Sequence, residues 1–212
     1  MNRQESTPQG ASDSAAQGRP SAKPSPRERM ERCHSALTLA FGPGGRYESW
    51  DLSVSEGRDM PSMEVRRGEV SPTIEALRDD PALAFDQLSY LTATDELPEE
   101  PRFRLVYFLA STKYSWRLKV HTKIAEADAR VRSIVSLHSG ANWMEREVYD
   151  MFGIRFEGHP ELKRILMPEE YGHHPLRKDF PIEGIQPDRL YREWEAARNA
   201  AYGEGRGAGN GR

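Results

Sequence analysis

The sequence predicts an α+β fold, in which a mostly antiparallel sheet packed by helices is followed by an extended, proline-punctuated C-terminal arm. Apolar residues recur at helical spacing near residues 29–41 and again at 142–152. Between residues 85 and 122, three segments show the alternating or continuous apolar pattern of β-strands. Beyond residue 153, five prolines interrupt an apolar stretch, which excludes long regular elements there.

The composition limits the size and the kind of protein that this chain can be. The 212 residues, with a net charge of −3, suit one domain with tails and do not indicate a nucleic-acid-binding surface. No apolar run approaches the roughly 20 residues of a membrane-spanning helix. The single cysteine, Cys33, excludes an internal disulfide and a cluster held by four thiolates of this chain. It is interpreted as a small buried residue.

The predicted organisation has five parts. Residues 1–28 are poor in large apolar side chains and are predicted to be a disordered tail without a secretory signal. An α+β domain is expected over 29–153 and an extended docking arm over 154–187. A weak helix over 188–202 and a flexible glycine-rich tail over 203–212 complete the chain.

The first half of the domain contains short elements. The helix that begins near Arg29 ends at the Gly42–Gly45 turn, which is not a phosphate loop because no Lys-Ser or Lys-Thr follows. Strands are predicted at Tyr47–Val54 and Ser62–Arg66. A second helix is expected to reach about Asp79, with Ser71 as its N-cap and Pro72 at its first position.

Stronger strands follow, at Phe85–Thr94, Arg102–Ser111 and Trp116–Thr122. The second is apolar on both faces, which is typical of an interior strand, and a short turn joins it to the third as a hairpin. His121 lies on the polar face of its strand and is interpreted as solvated. A short helix is then predicted over Asp128–Leu137.

The next helix opens the most informative stretch of the chain. Asn142 is predicted to cap it, with Glu145 completing a capping box. Arg146 and Asp150 are four residues apart and are predicted to pair on the surface. Gly153 is expected to end the helix in the left-handed conformation. The predicted apolar face comprises Met144, Val148, Met151 and Phe152.

Catalytic and metal sites are not favoured in this stretch. Glu145 and Glu147 point to opposite sides of a helix, and Glu147 with Asp150 is better interpreted as a solvated or partner-facing edge. The histidines at 159, 173 and 174 lack the spacing of a metal motif. No catalytic, cofactor-binding or metal-binding residue is therefore predicted.

The arm permits two interpretations. It carries eight large apolar residues that need burial, and it either wraps its own domain or docks on a partner. Prolines lower the entropy cost of ordering such a segment, which favours the partner. The eight are Ile154, Phe156, Leu162, Ile165, Leu166, Leu176, Phe180 and Ile182.

Two runs in this region carry a family resemblance. EREVYDMFGIRFEGHPELKRIL (Glu145–Leu166) and GHHPLRKDFP (Gly172–Pro181) resemble the signatures of the 30-kilodalton subunit of respiratory complex I. In bacteria this is the C subunit of NADH-quinone oxidoreductase. The resemblance covers about residues 71–184, and the second run has two histidines before its proline where the family usually has one.

The resemblance implies an α+β protein without a cofactor, non-catalytic alone, that docks on the 49-kilodalton (D) subunit. It implies a peripheral location on the cytoplasmic face of the bacterial membrane. The whole complex, also called NDH-1, passes electrons from NADH through FMN and Fe–S clusters of partner subunits to a quinone and translocates protons. In this interpretation Arg164, Arg177, Lys178 and Asp179 make charged contacts to the partner.

The full predicted partner interface is long. It comprises Trp143, Glu145, Arg146, Glu147, Tyr149, Asp150, Phe152, Gly153, His159, Pro160, Arg164, Ile165, Leu166, His174, Pro175, Leu176, Arg177, Lys178, Asp179, Phe180 and Pro181. Two alternatives stay open: the equivalent subunit of a related membrane-bound hydrogenase-type complex, and a free-standing hydrolase that uses the carboxylates or histidines.

Overall fold

A computed structural model describes residues 24–49, 52–55, 59–182, 192–193, 196–198 and 200. Most of the predicted N-terminal tail, the tail over 203–212 and much of the predicted helix over 188–202 lie outside these residues. The helices are α1 (Pro26–Phe41), α2 (Val70–Asp79) and α3 (Ala141–Phe152). The strands are β1 (Leu52–Ser55), β2 (Ser62–Val65), β3 (Gln87–Asp95), β4 (Phe103–Ser111), β5 (Trp116–Ile124), β6 (Arg130–Arg132) and β7 (Arg155–Glu157).

The main sheet has five strands in the order β1-β2-β5-β4-β3. All neighbouring pairs are antiparallel except β2 and β5, which run parallel. The predicted α+β class and the β4–β5 hairpin are therefore confirmed. The strand apolar on both faces, β4, is interior as predicted, although β5 occupies the centre.

One face of the sheet packs against all three helices. Phe103, Leu105, Tyr107 and Leu109 of β4 are almost completely buried there. They share a continuous core with Leu37 of α1, Ile74 of α2 and Val148 of α3, as well as with Cys33, which is buried as expected. This core holds α3, and therefore the signature stretch, in a fixed position against the sheet.

Two helix starts differ from the predictions. The α1 helix begins earlier, at Pro26, because Ser25 caps it and Glu28 closes a capping box with Ser25. The predicted Ser71 cap of α2 is wrong. A 3₁₀ turn over Arg67–Glu69 leads directly into the helix at Val70, so Ser71 already lies inside it.

Two strand regions also differ. The predicted helix over 128–137 is wrong, because its Val131 belongs to β6 and pairs in parallel with Phe156 of β7, burying both side chains. The first predicted strand is shorter than expected, since residues 47–49 form a turn and β1 begins at Leu52. The helical spacing of apolar residues over 128–137 was misleading, because Val131 is buried by pairing with a strand that lies far away in the sequence.

His121 is not solvated, contrary to the prediction, and only 7% of it is exposed. The β2 strand lies beside β5 and brings two polar side chains to His121. The His121 Nδ1 is 3.3 Å from the Ser62 hydroxyl, and the His121 Nε2 is 3.2 Å from the Glu64 carboxylate. Burial lowers the pKa of His121. This histidine therefore joins the two parallel strands.

Candidate functional site

Glu145 lies inside the domain rather than at the surface. The α3 helix begins after Gly140 without a side-chain cap, so the predicted Asn142 cap and its capping box are wrong. The Glu145 carboxylate is fully buried and accepts hydrogen bonds from the Ser133 hydroxyl at 2.7 Å and the Ile134 amide at 2.8 Å. Burial raises the pKa of Glu145 to about 7, despite these hydrogen bonds. Its predicted place in a partner interface is therefore corrected, since its side chain secures α3 to the segment after β6.

Asp150 is the second buried carboxylate of α3. Its Oδ1 accepts from Arg164 Nη1 at 2.6 Å, while its Oδ2 accepts from the amides of Ile165, Leu166 and Met167 at 2.8–3.0 Å. We call this group of contacts the arm clamp. Burial alone would raise the pKa of Asp150, but these donors outweigh it and the pKa is lowered.

The arm clamp corrects two predictions. Asp150 is neither a surface partner of Arg146 nor part of a solvated edge, because it is fully buried. Arg146 instead donates to the carbonyl oxygens of Lys163 and Arg164, at 3.1 and 3.4 Å, and its guanidinium packs over the Trp143 ring at 4.9 Å. The first half of the arm thus lies along α3.

The second half of the arm crosses the C-terminal end of α3 at Gly153. This glycine has a φ of +81°, which confirms the predicted left-handed C-cap. A Cβ there would come within 2.6 Å of both Arg177 Nη2 and His174 Nε2. His174 Nδ1 is 2.9 Å from the Asp150 carbonyl oxygen, and Arg177 Nε donates to the Phe152 carbonyl at 2.7 Å. Glycine is required both for its conformation and for this close approach.

A group of charges that the sequence patterns did not indicate holds the end of the arm. Arg102, only 2% exposed, forms ion pairs of 2.7–2.8 Å with Asp95, Glu126 and Asp179. The Lys178 amide donates to Asp95 at 2.8 Å. Burial opposes the charged form of Asp95, but donors led by Arg102 outweigh it and hold the pKa of that carboxyl well below its usual range. The only feature of the sequence that points to this group of charges is the position of Arg102, directly before the apolar strand β4.

The predicted charged contacts of the arm are thus used within the chain. Arg164 binds Asp150, Arg177 binds Phe152 and Glu126, and Asp179 binds Arg102. The Lys178 ammonium donates to the Leu97 carbonyl at 2.8 Å. These four residues attach the arm to its own domain. For the charged side chains of the arm, the interpretation that the arm wraps its own domain is therefore correct.

The apolar residues of the arm divide differently. Ile154 and Phe156 are buried with β7, so residues 154–157 belong structurally to the domain. Leu162, Ile165 and Phe180 are half-buried. Leu166 and Leu176 are 63% and 53% exposed, and Ile182 is fully exposed; Trp143, which belongs to α3 rather than to the arm, is 65% exposed. We call these last four residues the exposed apolar set; they make up most of the large exposed hydrophobic residues in the described part of the chain.

The remaining predicted interface residues also divide by exposure. Phe152 is buried in the core. Glu147, Tyr149, His159 and Pro175 are half-buried, and Pro160 and Pro181 are exposed. Whether any of them touches a partner stays a prediction.

The described residues show neither a metal cluster nor a membrane span. Among them, no three or more histidine, cysteine, aspartate or glutamate side chains are grouped in a way that suits a metal ion. Within these residues, none of the helices combines the length and the apolar character of a membrane-spanning segment.

An α+β domain with an ordered arm that leaves several large apolar side chains exposed has the kind of surface found on subunits of larger assemblies. The chain is a member of the respiratory-chain NADH dehydrogenase 30 Kd subunit family, whose model matches residues 63–186. It thus falls among complex I subunits, as the signature runs predicted.

Curated relatives agree with this assignment. The NADH-quinone oxidoreductase C subunit of Citrifermentans bemidjiense is 41% identical over 144 residues, covering 68% of this chain and 87% of the relative. The C subunit of Roseiflexus castenholzii is 45% identical over 146 residues, covering 66% and 84%. The second C subunit of Rhizobium meliloti is 47% identical over 155 residues, covering 73% and 82%.

Two solved structures share the fold. A trypsin-resistant fragment (1–134) of Nqo5 is 29% identical, with a TM-score of 0.51, covering 62% of this chain and 99% of the fragment. A chain of the membrane-bound sulfane sulfur reductase, an archaeal respiratory membrane complex, has a TM-score of 0.54 at 24% identity, covering 69% and 83%. The second likeness concerns the fold alone.

Proposed function

We propose that this chain is the C subunit in the peripheral arm of a proton-translocating NADH-quinone oxidoreductase and docks on the 49-kilodalton (D) subunit. It holds no cofactor and performs no chemistry alone. FMN and Fe–S clusters of partner subunits carry electrons from NADH to a quinone. The chain lies on the cytoplasmic face of the membrane and is held there by its partners.

The observation that carries this proposal is the contrast between the charged and apolar residues of the arm. Arg164, Arg177 and Asp179 have partners within the domain, whereas Leu166 and Leu176 remain more than half exposed. Burying one leucine side chain contributes about 2 kcal/mol. An arm that is secured by its charges and presents unburied leucines is suited to receive a second protein surface.

Internal attachment of the arm also supports docking. The arm clamp and the Arg102 ion pairs order the segment before any partner arrives. A segment already ordered loses less conformational entropy on association, which leaves more of the contact energy for affinity. The two interpretations of the arm are therefore compatible, because wrapping its own domain prepares it to dock.

The alternative is the equivalent subunit of a membrane-bound hydrogenase-type complex. The fold shared with a chain of the archaeal sulfane sulfur reductase complex shows that this domain also occurs in a respiratory membrane complex of another kind, but it does not point to a hydrogenase. That likeness has 24% identity, whereas the C subunits of NADH-quinone oxidoreductases described above reach 41–47%. The oxidoreductase is therefore the better-supported assembly.

Affinity purification of the tagged full chain from native membranes tests the proposal. We expect mass spectrometry to identify the 49-kilodalton subunit in stoichiometric amount, together with NADH-binding flavoprotein subunits. A tag on an unrelated soluble protein from the same cells controls for adventitious capture. Recovery of a hydrogenase large subunit without the flavoprotein subunits, or of no stoichiometric partner, would contradict the proposal.

A further inference from the structure

The main sheet has a second face that lies opposite its helices. All three helices share the core with Leu105 and Tyr107, on one face of the sheet. The side chains that alternate with these core residues along each strand point to the opposite side. We call that side the open face. In strands β2 to β5 it comprises Ser62, Glu64, Tyr90, Thr92, Thr94, Arg104, Val106, Phe108, Ala110, Arg117, Lys119, His121 and Lys123.

The centre of the open face is apolar. Tyr90 of β3 lies opposite Phe108 of β4, and Val106 is the next outward residue of β4. The core formed by the described residues includes none of these three, and Tyr90 is 44% exposed. A strand that is apolar on both faces, as β4 is, is typically covered on both faces. The helices cover only one face of β4, so the composition of the open face suits a second layer of protein.

The charges of the open face are mainly positive, although the chain as a whole has a net charge of −3. Four of its side chains are cationic. Two of them are neutralised nearby, since Arg104 pairs with Glu96 at 2.8 Å and Lys123 lies 3.6 Å from Glu64. The remaining two are the cations that can serve a partner.

These two cations are Arg117 and Lys119, which form no ion pair with any carboxylate that the structure describes. Lys119 lies opposite Phe108 on the neighbouring strand, and Arg117 lies one outward position further along β5. Asp59 lines a cavity at the end of the sheet together with Arg117, but no ion pair joins them. Positive charge without a partner thus lies directly beside the apolar centre.

From these observations we propose that the open face docks on an acidic surface of another subunit of the assembly. Tyr90 and Phe108 supply the apolar contacts, and Arg117 and Lys119 bind carboxylates of that subunit. Protein interfaces combine an apolar centre with charges complementary to those of the partner. The proposal rests on the proposed function only in that the chain is a subunit of an assembly, and it does not depend on the docking of the arm.

A protein suits the open face better than a lipid surface does. Basic clusters that hold a protein on anionic lipid carry roughly four to eight lysine or arginine residues. The open face offers only Arg117 and Lys119, and its centre is formed by apolar side chains of a sheet. An acidic protein surface needs only a few carboxylates to match it.

Carbodiimide cross-linking of the purified native complex tests the proposal, because this reagent joins a lysine amine to a carboxylate in direct contact. We expect mass spectrometry to find Lys119 joined to an aspartate or glutamate of another subunit. Acetylation of Lys119 should also be about tenfold slower in the complex than in the isolated full chain. No such cross-link and equal acetylation, in a complex that retains the 49-kilodalton subunit, would overturn this inference and leave the proposed function intact.

Charge variants give a second, independent test. Arg117→Glu/Lys119→Glu should lower recovery of the cross-linked neighbouring subunit about tenfold, because carboxylates would face carboxylates. Arg117→Lys/Lys119→Arg is the matched control, which keeps both charges and should recover that subunit as the wild type does. Equal recovery by both variants would contradict the proposal. So would binding of the isolated full chain to phosphatidylglycerol vesicles through these two cations, or a cross-link that joins Lys119 to a second copy of this chain.

Discussion

Replacing Asp150 with alanine is expected to release the first half of the arm and to destabilise the folded chain by about 3–5 kcal/mol. The change leaves the Arg164 guanidinium, only 9% exposed, without its carboxylate. It also removes the acceptor of three successive amides, at Ile165, Leu166 and Met167. Urea unfolding measures the loss of stability. Trypsin cleavage after Lys163 and Arg164 measures release of the arm and should become much faster.

Glu147→Ala is the matched control, because it also removes a carboxylate from α3 but at a half-buried position. Its effect on stability should stay within about 0.5 kcal/mol. Asp150→Asn keeps one acceptor oxygen and should fall between the two. If Asp150→Ala were cleaved at the wild-type rate and unfolded at the same urea concentration, the arm clamp would have no role in holding the arm.

Glu145→Gln is expected to stabilise the chain at pH 8 and to flatten its stability between pH 4.5 and 7. The pKa of Glu145 rises from 4.5 to about 7 on folding, so the native state binds the proton more tightly than the unfolded state. Wild-type stability therefore falls as pH rises through this range, by about 3 kcal/mol for this one group. Glutamine is never charged, so it removes that loss.

Chemical denaturation at several pH values from 4.5 to 8 checks this prediction. The difference between wild type and Glu145→Gln should grow with pH and level off above about 7. Glu147→Gln, which changes a carboxylate outside the core, should keep the wild-type slope. A Glu145→Gln variant whose stability runs parallel to the wild type at every pH would mean that the buried carboxylate does not bind its proton more tightly in the folded state.

Local patterns predicted the elements that support the site. The alternation in β5, the two apolar faces of β4 and the glycine after α3 each carry a signal within a few residues. The signature runs around α3 and the arm were enough to predict the family. Val131 shows where such patterns fail, because its burial comes from pairing with a strand more than 20 residues away.

The roles of the charged residues were not predictable in the same way. Asp150 and Arg146 have ideal spacing for a surface pair, yet Asp150 turns inward to the amides of residues 165–167. Asp95 and Asp179 meet only through Arg102. A single sequence records the charge of a side chain but not the backbone amides or distant ions that the fold brings to it. The partner interface itself remains a prediction.

The most direct measurement of the docking proposal is co-purification of the 49-kilodalton subunit with Leu166→Asp/Leu176→Asp, compared with the wild type. Leu39→Asp, at a 79% exposed position on α1, is the control for adding charge to an exposed leucine. Two buried leucines at about 2 kcal/mol each correspond to a loss of affinity of over a hundredfold. We predict that the double variant folds but recovers almost no 49-kilodalton subunit. Leu39→Asp should recover as much of that subunit as the wild type does. Wild-type recovery by the double variant would contradict the account.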